Sequence, residues 1–413
     1  FLERPGVPRV ETRLSCGASA KLGLVQTRYL PTGSSGTTEA SPWKIPVCAR
    51  FGAGKKVERA CTLLDGKEGA LALPFCPEWV VPNDEASGYF RTARSRTELQ
   101  HLMGHLEGTS PAERISLAGD VLASAKTEGG DLGDFLSLVP TLAKDSDVHV
   151  VDSVLGPVAS LRDIPLVNAG NRAAYSKFVQ RAFGERAKKL GLKSKPGEDE
   201  DPRWIRPVLV EVVADQGEDP ALRASCTKLA KAWIADKNAV EPELQGTVLA
   251  VAAAFGDRAL FDALVREAKH ATERVDRDRA ISALGQVRDP VLIKAALALM
   301  LDPELDARDT VRILWGVTKT PVGVPLAFEF LTAEMEKLVA RLPRDWAAGF
   351  PGVGAAFCDD SKRAEVEAFF RPKASRFVGG PRLLDQALEN LHLCHVYRTS
   401  QEPRVSAFFA NKK

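Results

Sequence analysis

Up to about residue 90 the chain alternates. Leu22, Leu24 and Gln26 share one side of a run that leads to Tyr29, and Trp43, Ile45 and Val47 do the same before Cys48. Ala70 to Phe75 makes a third short run. Period two is the mark of a strand with one face in a core. Gly, Pro and Ser clusters, most clearly Pro31 to Ser35, punctuate the runs. Short strands between turn signals predict a small β-sandwich over residues 1–90.

From about Ser95 the period becomes 3.6. Ile115, Ala118, Leu122 and Ala125 fall on one helical face, with Ser110 placed as the cap, Pro111 in the first turn and Glu113 three residues after the cap. Leu222, Cys226, Leu229 and Trp233 form a second stripe behind Asp219-Pro220. Asp289-Pro290, Asp302-Pro303 and Gly256-Asp257 give similar punctuation, some of it roughly 30 to 40 residues apart, the spacing of stacked helix pairs. About sixteen helices are predicted, forming an all-α, HEAT-like superhelical domain over residues 91–413. The fold class is therefore mixed and mainly α. Lys193 to Asp201, with Pro196, Gly197 and a run of acids from Glu198, breaks the period and is expected as an exposed loop.

Length and charge narrow the picture. A chain of 413 residues exceeds one ordinary core, and 45% hydrophobic with 27% charged residues is the balance of a globular protein. Lys and Arg total 56 against 54 acids, a net charge of +2, which argues against nucleic acid as the main partner. No apolar run approaches the ~20 residues of a transmembrane segment. The sequence opens at Phe1 with neither Met nor a signal peptide, and is read as the remainder of a longer chain.

Cysteines say more. Cys16, Cys48, Cys61 and Cys76 lie near the start, Cys226, Cys358 and Cys394 far downstream. No C-x-x-C pair marks a zinc ribbon. Asp65-Gly66 reads as a hairpin turn that places Cys61 opposite Cys76. The pairing expected is Cys16–Cys48, Cys61–Cys76 and Cys358–Cys394, with Cys226 a buried thiol; the alternative is seven reduced cysteines. Bridges worth ~2–4 kcal/mol each would matter to so small a sandwich, and would imply a periplasmic or extracellular compartment.

The search for chemistry is negative. His101 and His105 have the i, i+4 spacing of a zinc helix, but Leu102 stands where the general-base glutamate belongs and Ser124 where a third ligand would fall. His392 and His395 flank Cys394, yet neighbours one and two positions apart on a helix do not face each other. Gly52-Ala53-Gly54-Lys55 lacks the spacing of a phosphate loop. Asp359-Asp360 and Glu198 to Asp201 read as loops or caps. No catalytic, cofactor or metal residue is assigned.

One ordered set of motifs is specific. Trp43-Lys44-Ile45-Pro46-Val47 is followed by Pro77 to Asn83 and then by Gly88-Tyr89-Phe90-Arg91. This resembles the third domain of the gluzincin zinc aminopeptidases, the alanyl, puromycin-sensitive and endoplasmic-reticulum enzymes, where W-x-I-P-V leads to N-x-x-x-x-G-Y-Y-R. Phe90 replaces the second tyrosine. Phe1 to Val10 resembles the strand that follows the family's catalytic domain, and Gln26 to Tyr29 the next one. Asp219 to Trp233, Gly256-Asp257 with Phe261, and Ala283 to Pro290 are similar to its helix pairs.

The resemblance implies that this is the third and fourth domains of such an enzyme. The zinc helix and substrate motif would then lie upstream, with zinc expected there and none in this chain. It further implies the upstream catalytic domain and peptide substrates as partners, and a helical bowl that limits access to the active site. Trp43, Pro46, Asn83, Gly88, Tyr89 and Arg91 are its junction positions. The alternatives are a HEAT-like interaction scaffold and a catalytically dead homologue.

Overall fold

The computed structural model describes residues 5–37 and 42–410. Seven strands come first: β1 (Pro8–Cys16), β2 (Ala20–Arg28), β3 (Ile45–Ala53), β4 (Lys56–Leu64), β5 (Glu68–Leu73), β6 (Trp79–Val81) and β7 (Arg91–Ala93). They form two sheets, ordered β5-β2-β1-β7 and β4-β3-β6. Among the described residues only β1 with β7 is a parallel pair. The alternating apolar positions of both sheets meet in one core that holds Leu22, Leu24, Trp43, Ile45, Val47 and Phe51. Phe1 to Arg4, the start of the expected first strand, lie outside the described residues.

The helices follow: α1 (Arg96–Met103), α2 (Pro111–Ser124), α3 (Leu132–Leu142), α4 (Val148–Asp163), α5 (Arg172–Val179), α6 (Glu185–Leu190), α7 (Glu200–Asp215), α8 (Pro220–Ala235) and α9 (Pro242–Ala254). Then come α10 (Arg258–His270), α11 (Arg274–Leu284), α12 (Pro290–Ala298), α13 (Ala307–Val317), α14 (Gly323–Arg341), α15 (Pro351–Ala355), α16 (Arg363–Ala374) and α17 (Gly380–Ala410). A π-turn at Gln180–Gly184 joins α5 to α6 without a break, leaving sixteen helices among the described residues. Aspartates open many of them. Asp219, Asp257, Asp289 and Asp306 each accept from backbone N–H groups of the first turn, and Ser110 with Glu113 completes a capping box at α2.

Two compact units result, Phe1–Gly156 and Pro157–Lys413. The first holds both sheets with α1 to α3. In the second, α7, α9, α11 and α13 pack in one row, each against the next, while α8 packs on α9 and α10, and α10 on α11. The row is tight where α11 meets α13: a Cβ on Gly316 would stand 2.7 Å from the Gly285 carbonyl oxygen. At the far end α17 packs on α15 and α16 and also on α5. Phe409 there meets Tyr175 and Phe178 edge-on at 5.9 and 5.7 Å, so the last helix returns to the first helices of its unit.

Three expectations are corrected. The bridges near the start are Cys16–Cys76 and Cys48–Cys61. Asp65-Gly66 does not turn a hairpin: β4 pairs with β3 and β5 with β2, so the chain changes sheets there. Cys48 is Cys61's cross-strand neighbour. Cys16 ends β1 at the sheet edge where Ala20 pairs with Leu73, shortly before Cys76. Cys358 is joined to Cys394, and Cys226 is a buried free thiol.

Second, α2 buries Leu117, Ala118 and Val121, whereas Ile115 and Leu122 are only half-buried. Its buried face also carries Glu113 and Asp120, acids the apolar pattern cannot register. Third, Lys193 to Asp201 is not wholly a solvated loop. Glu200 and Asp201 begin α7, favourably placed for the helix dipole. Glu198 and Ser194 bond the guanidinium of Arg206, which is 1% exposed, while Ser194 also donates to Glu241.

Candidate functional site

In the first unit the junction motif makes a brace. Asn83 bonds Gly88 in both directions: the Gly88 N–H donates to its Oδ1 at 2.8 Å, and its Nδ2 donates to the Gly88 carbonyl at 3.0 Å. Glu85 and Ala86, in between, take φ of 52° and 53°. A Cβ on Gly88 would lie 2.3 Å from the Phe90 ring, so only glycine fits. Trp43 is in the core, its backbone N–H and carbonyl both held by the buried Gln26 amide at 2.8 Å. Pro46 and Tyr89 are exposed.

Arg91 stands 3.4 Å from Asp120, whose other oxygen accepts from the Thr92 N–H at 3.0 Å and hydroxyl at 2.6 Å. Burial pushes the Asp120 carboxyl above its ordinary value, against the lowering effect of the Thr92 bonds and of Arg94 and Arg91. Glu113 has a matching role in the first turn of α2, where it accepts from Ser110 N–H, Glu85 N–H and Arg50. These two acids dock α2 on the strands. Their signal in the sequence is acids at helical spacing around Leu117.

Asp84, Glu85 and Glu113 bring carboxylate oxygens within 4.8 Å of one another, the one such group of potential metal ligands among the described residues. The cation between them is protein. Arg50 reaches Asp84 at 3.6 Å, Glu85 at 3.5 Å and Glu113, and Arg59 Nε bonds Asp84 at 2.5 Å. His101 and His105 do not converge on an ion either; His105 Nδ1 lies 2.8 Å from the His101 carbonyl and Nε2 3.4 Å from Glu78. His392 pairs with Asp360 at 2.8 Å, while the sulfur of Cys394 is in its bridge. Asp359 caps the turn at Ser361, and Gly54 at φ 55° opens the tight β3–β4 hairpin. The donors present do not fit a catalytic zinc.

The second unit carries a denser charge cluster at the carboxyl ends of its helices. Asp163 ends α4 and Asp215 ends α7; Phe255 caps α9, while Arg288 and Lys319 follow α11 and α13. Helix C-termini carry partial negative charge and attract cations. Arg223 donates to the Ala214 and Asp215 carbonyls and stacks 3.7 Å from the Phe255 ring. Arg162 Nη1 donates to the Asp215 carboxylate at 3.0 Å, and Arg288 clasps it with both terminal nitrogens. Arg288 also lies 4.9 Å from Phe255.

Asp163 and Glu211 complete the group. Both side chains are exposed to solvent, with enough neighbouring protein around them to desolvate the carboxylates in part. Burial, then the charge of Asp215, raises Asp163 to about 6 against Lys319, Arg162 and Arg288. Burial likewise raises Glu211, opposed first by Lys319. No sequence motif marks these residues, because the group is assembled from the ends of α4 and α7 and the segment after α11.

Residues 79–393, from β6 into α17, match the ERAP1-like C-terminal domain. The chain belongs to that family. The family resemblance carried by the junction segment therefore holds. Aminopeptidase 2 of Candida albicans is 21% identical over 382 residues, covering 90% of this chain and 40% of the relative. Aminopeptidase M1-B of Oryza sativa is 23% identical over 423 residues, covering 95% of this chain and 46% of the relative. Aminopeptidase N of Mus musculus is 26% identical over 159 residues, covering 37% of this chain and 16% of the relative. The family member described here thus spans less than half the length of these relatives. No helix among the described residues is long and apolar enough to cross a membrane.

Proposed function

We propose that this chain is the non-catalytic C-terminal region of a zinc-dependent aminopeptidase acting on peptides, and that its HEAT-like helical unit walls the space that leads to the active site. The observation that carries the walling role is the return of α17. By packing on α15 and α16 at one end and on α5 at the other, it joins the last helices of the unit to the first. A helical array closed in this way would wall a space, which the exposed Asp163 and Glu211 and the Arg162–Asp215–Arg288 group would face. Mixed charge there suits contact with a peptide's own charged groups.

Zinc would supply activated water in the upstream domain, whose ligands this chain does not contain. The three bridges support an oxidising compartment, periplasmic or extracellular, for the parent protein. The parent enzyme is expected to remove N-terminal residues from flexible peptides and to leave the free N-terminus of a folded protein intact. Release of N-terminal residues from both at similar rates would overturn the gating role. Residues 1–413 assayed alone are expected to show no peptidase activity, and turnover abolished by a chelator would overturn the non-catalytic assignment.

A further inference from the structure

Along β1 and the start of α1, in the first unit, runs an open cleft of about 550 Å3 bordered by Arg9, Glu11, Arg13, Arg94 and His101. Its position follows from the strand pairing. β7 accompanies β1 only from Arg9 to Glu11, so among the described residues the rest of β1 has no strand on that side, and Glu98 Oε1 takes up the Leu14 N–H at 3.0 Å. A second space, of about 260 Å3, also has Arg9 and Arg94 in its wall.

The acids nearby are already committed. The second oxygen of Glu98 accepts from Ser95 N–H and hydroxyl, both at 2.8 Å. Asp120 holds Thr92 and Arg91, and Asp131 and Asp134 hold Arg96 at 2.9 and 2.7 Å. Glu11 stands a long 3.9 Å from both Arg9 and Arg13.

The arginines, by contrast, are incompletely satisfied. Arg94 Nη2 donates to Thr92 Oγ1 at 2.8 Å, but among the described residues its Nη1 has no acceptor, and neither has Arg9 Nε. Burial pushes the Arg94 guanidinium below its ordinary value, with Asp120 and Glu98 pulling it back. A desolvated N–H without an acceptor is unfavourable, and a planar guanidinium matches a carboxylate with two parallel bonds. Arg13, 86% exposed, adds a third positive group at the mouth.

We propose that this cleft binds a carboxylate, with Arg94 as its principal donor after a small guanidinium rotation and Arg9 and Arg13 supplying further charge. The carboxylate has two possible sources, a small free carboxylic acid or an acidic side chain on an extended peptide segment. The test is calorimetric titration of residues 1–413 at low salt. Succinate is one probe, an N-acetylated, C-amidated tri-glutamate peptide the second, and the matching tri-glutamine peptide the control.

Saturable binding of at least one carboxylate probe, and none of the glutamine peptide, is the expected result. Succinate alone binding assigns a small acid; the glutamate peptide binding more tightly assigns an acidic segment. Arg94→Gln is expected to weaken binding about tenfold or more, and Arg94→Lys, which keeps the charge but loses the fork, by less. Should Arg94→Gln fail to fold, the exposed Arg13→Gln decides, with an expected loss of about two- to threefold that shrinks as salt is added. Failure of both carboxylate probes to bind saturably, equal binding of the glutamine peptide, or unchanged affinity in the folded variants would overturn the proposal.

Discussion

Asp163 shows how position on a helix changes a side chain's chemistry. At the end of α4, partial desolvation and the charge of Asp215 raise its exposed carboxyl from 3.8 to about 6. Between those two pH values the folded chain holds a proton that the unfolded chain has lost. Folding therefore takes up a proton, and the contribution of this group to stability improves as pH falls from above 6 toward 4. Asp163→Asn is expected to raise the urea midpoint relative to the parent at pH 7.5, with the difference vanishing below pH 4. A lower midpoint at pH 7.5 would show that Lys319, Arg162 and Arg288 stabilise the ionised form on balance. Desolvation likewise raises Glu211, whose first counter-charge is again Lys319.

At the scale of elements, strand partnership decides the covalent pattern. Alternation correctly marks Leu22, Leu24, Ile45 and Val47 as core positions, because the side-chain period of a strand is a local property. It is silent on which strand lies beside which. The turn signal at Asp65-Gly66 is real, but it carries the chain from one sheet to the other, and this redirects both bridges of the first unit. Proteolysis under non-reducing conditions with mass mapping is expected to recover peptides joined through Cys16–Cys76 and Cys48–Cys61, and none joined through Cys61–Cys76. Replacing Cys48 and Cys61 together by Ser is expected to lower stability by ~2–4 kcal/mol. Helix α2 follows the same logic. Its cap was legible from Ser110 to Glu113, whereas the docking role of Glu113 and Asp120 depends on Arg50, Glu85 and Thr92, which belong to other elements.

At the scale of the whole molecule, the two units owe their form to different closures. The first is closed by sheet packing and by the α2 carboxylates. The second is closed by α17, whose Phe409 is 2% exposed beside Tyr175 and Phe178. Tyr175 is itself fixed by hydroxyl bonds to the Val158 carbonyl at 3.0 Å and Gln216 at 3.2 Å. Phe409→Ala is expected to destabilise the helical unit by ~3–5 kcal/mol and to speed amide exchange in both α5 and the last turns of α17. Exchange that accelerates in α17 alone would argue against its closing role.

Local rules written in the sequence determined the strand faces, the helix starts, the change of period near Ser95 and the junction motif that placed the chain in its family. Each depends on residues a few positions apart. Tertiary structure alone decided the bridge partners, the burial of Glu113, Asp120 and Arg206, and the gathering of Asp163, Glu211, Asp215 and Arg288 at helix ends. Those outcomes depend on which elements become neighbours, and burial and charge pairing act through space between residues that the chain keeps far apart.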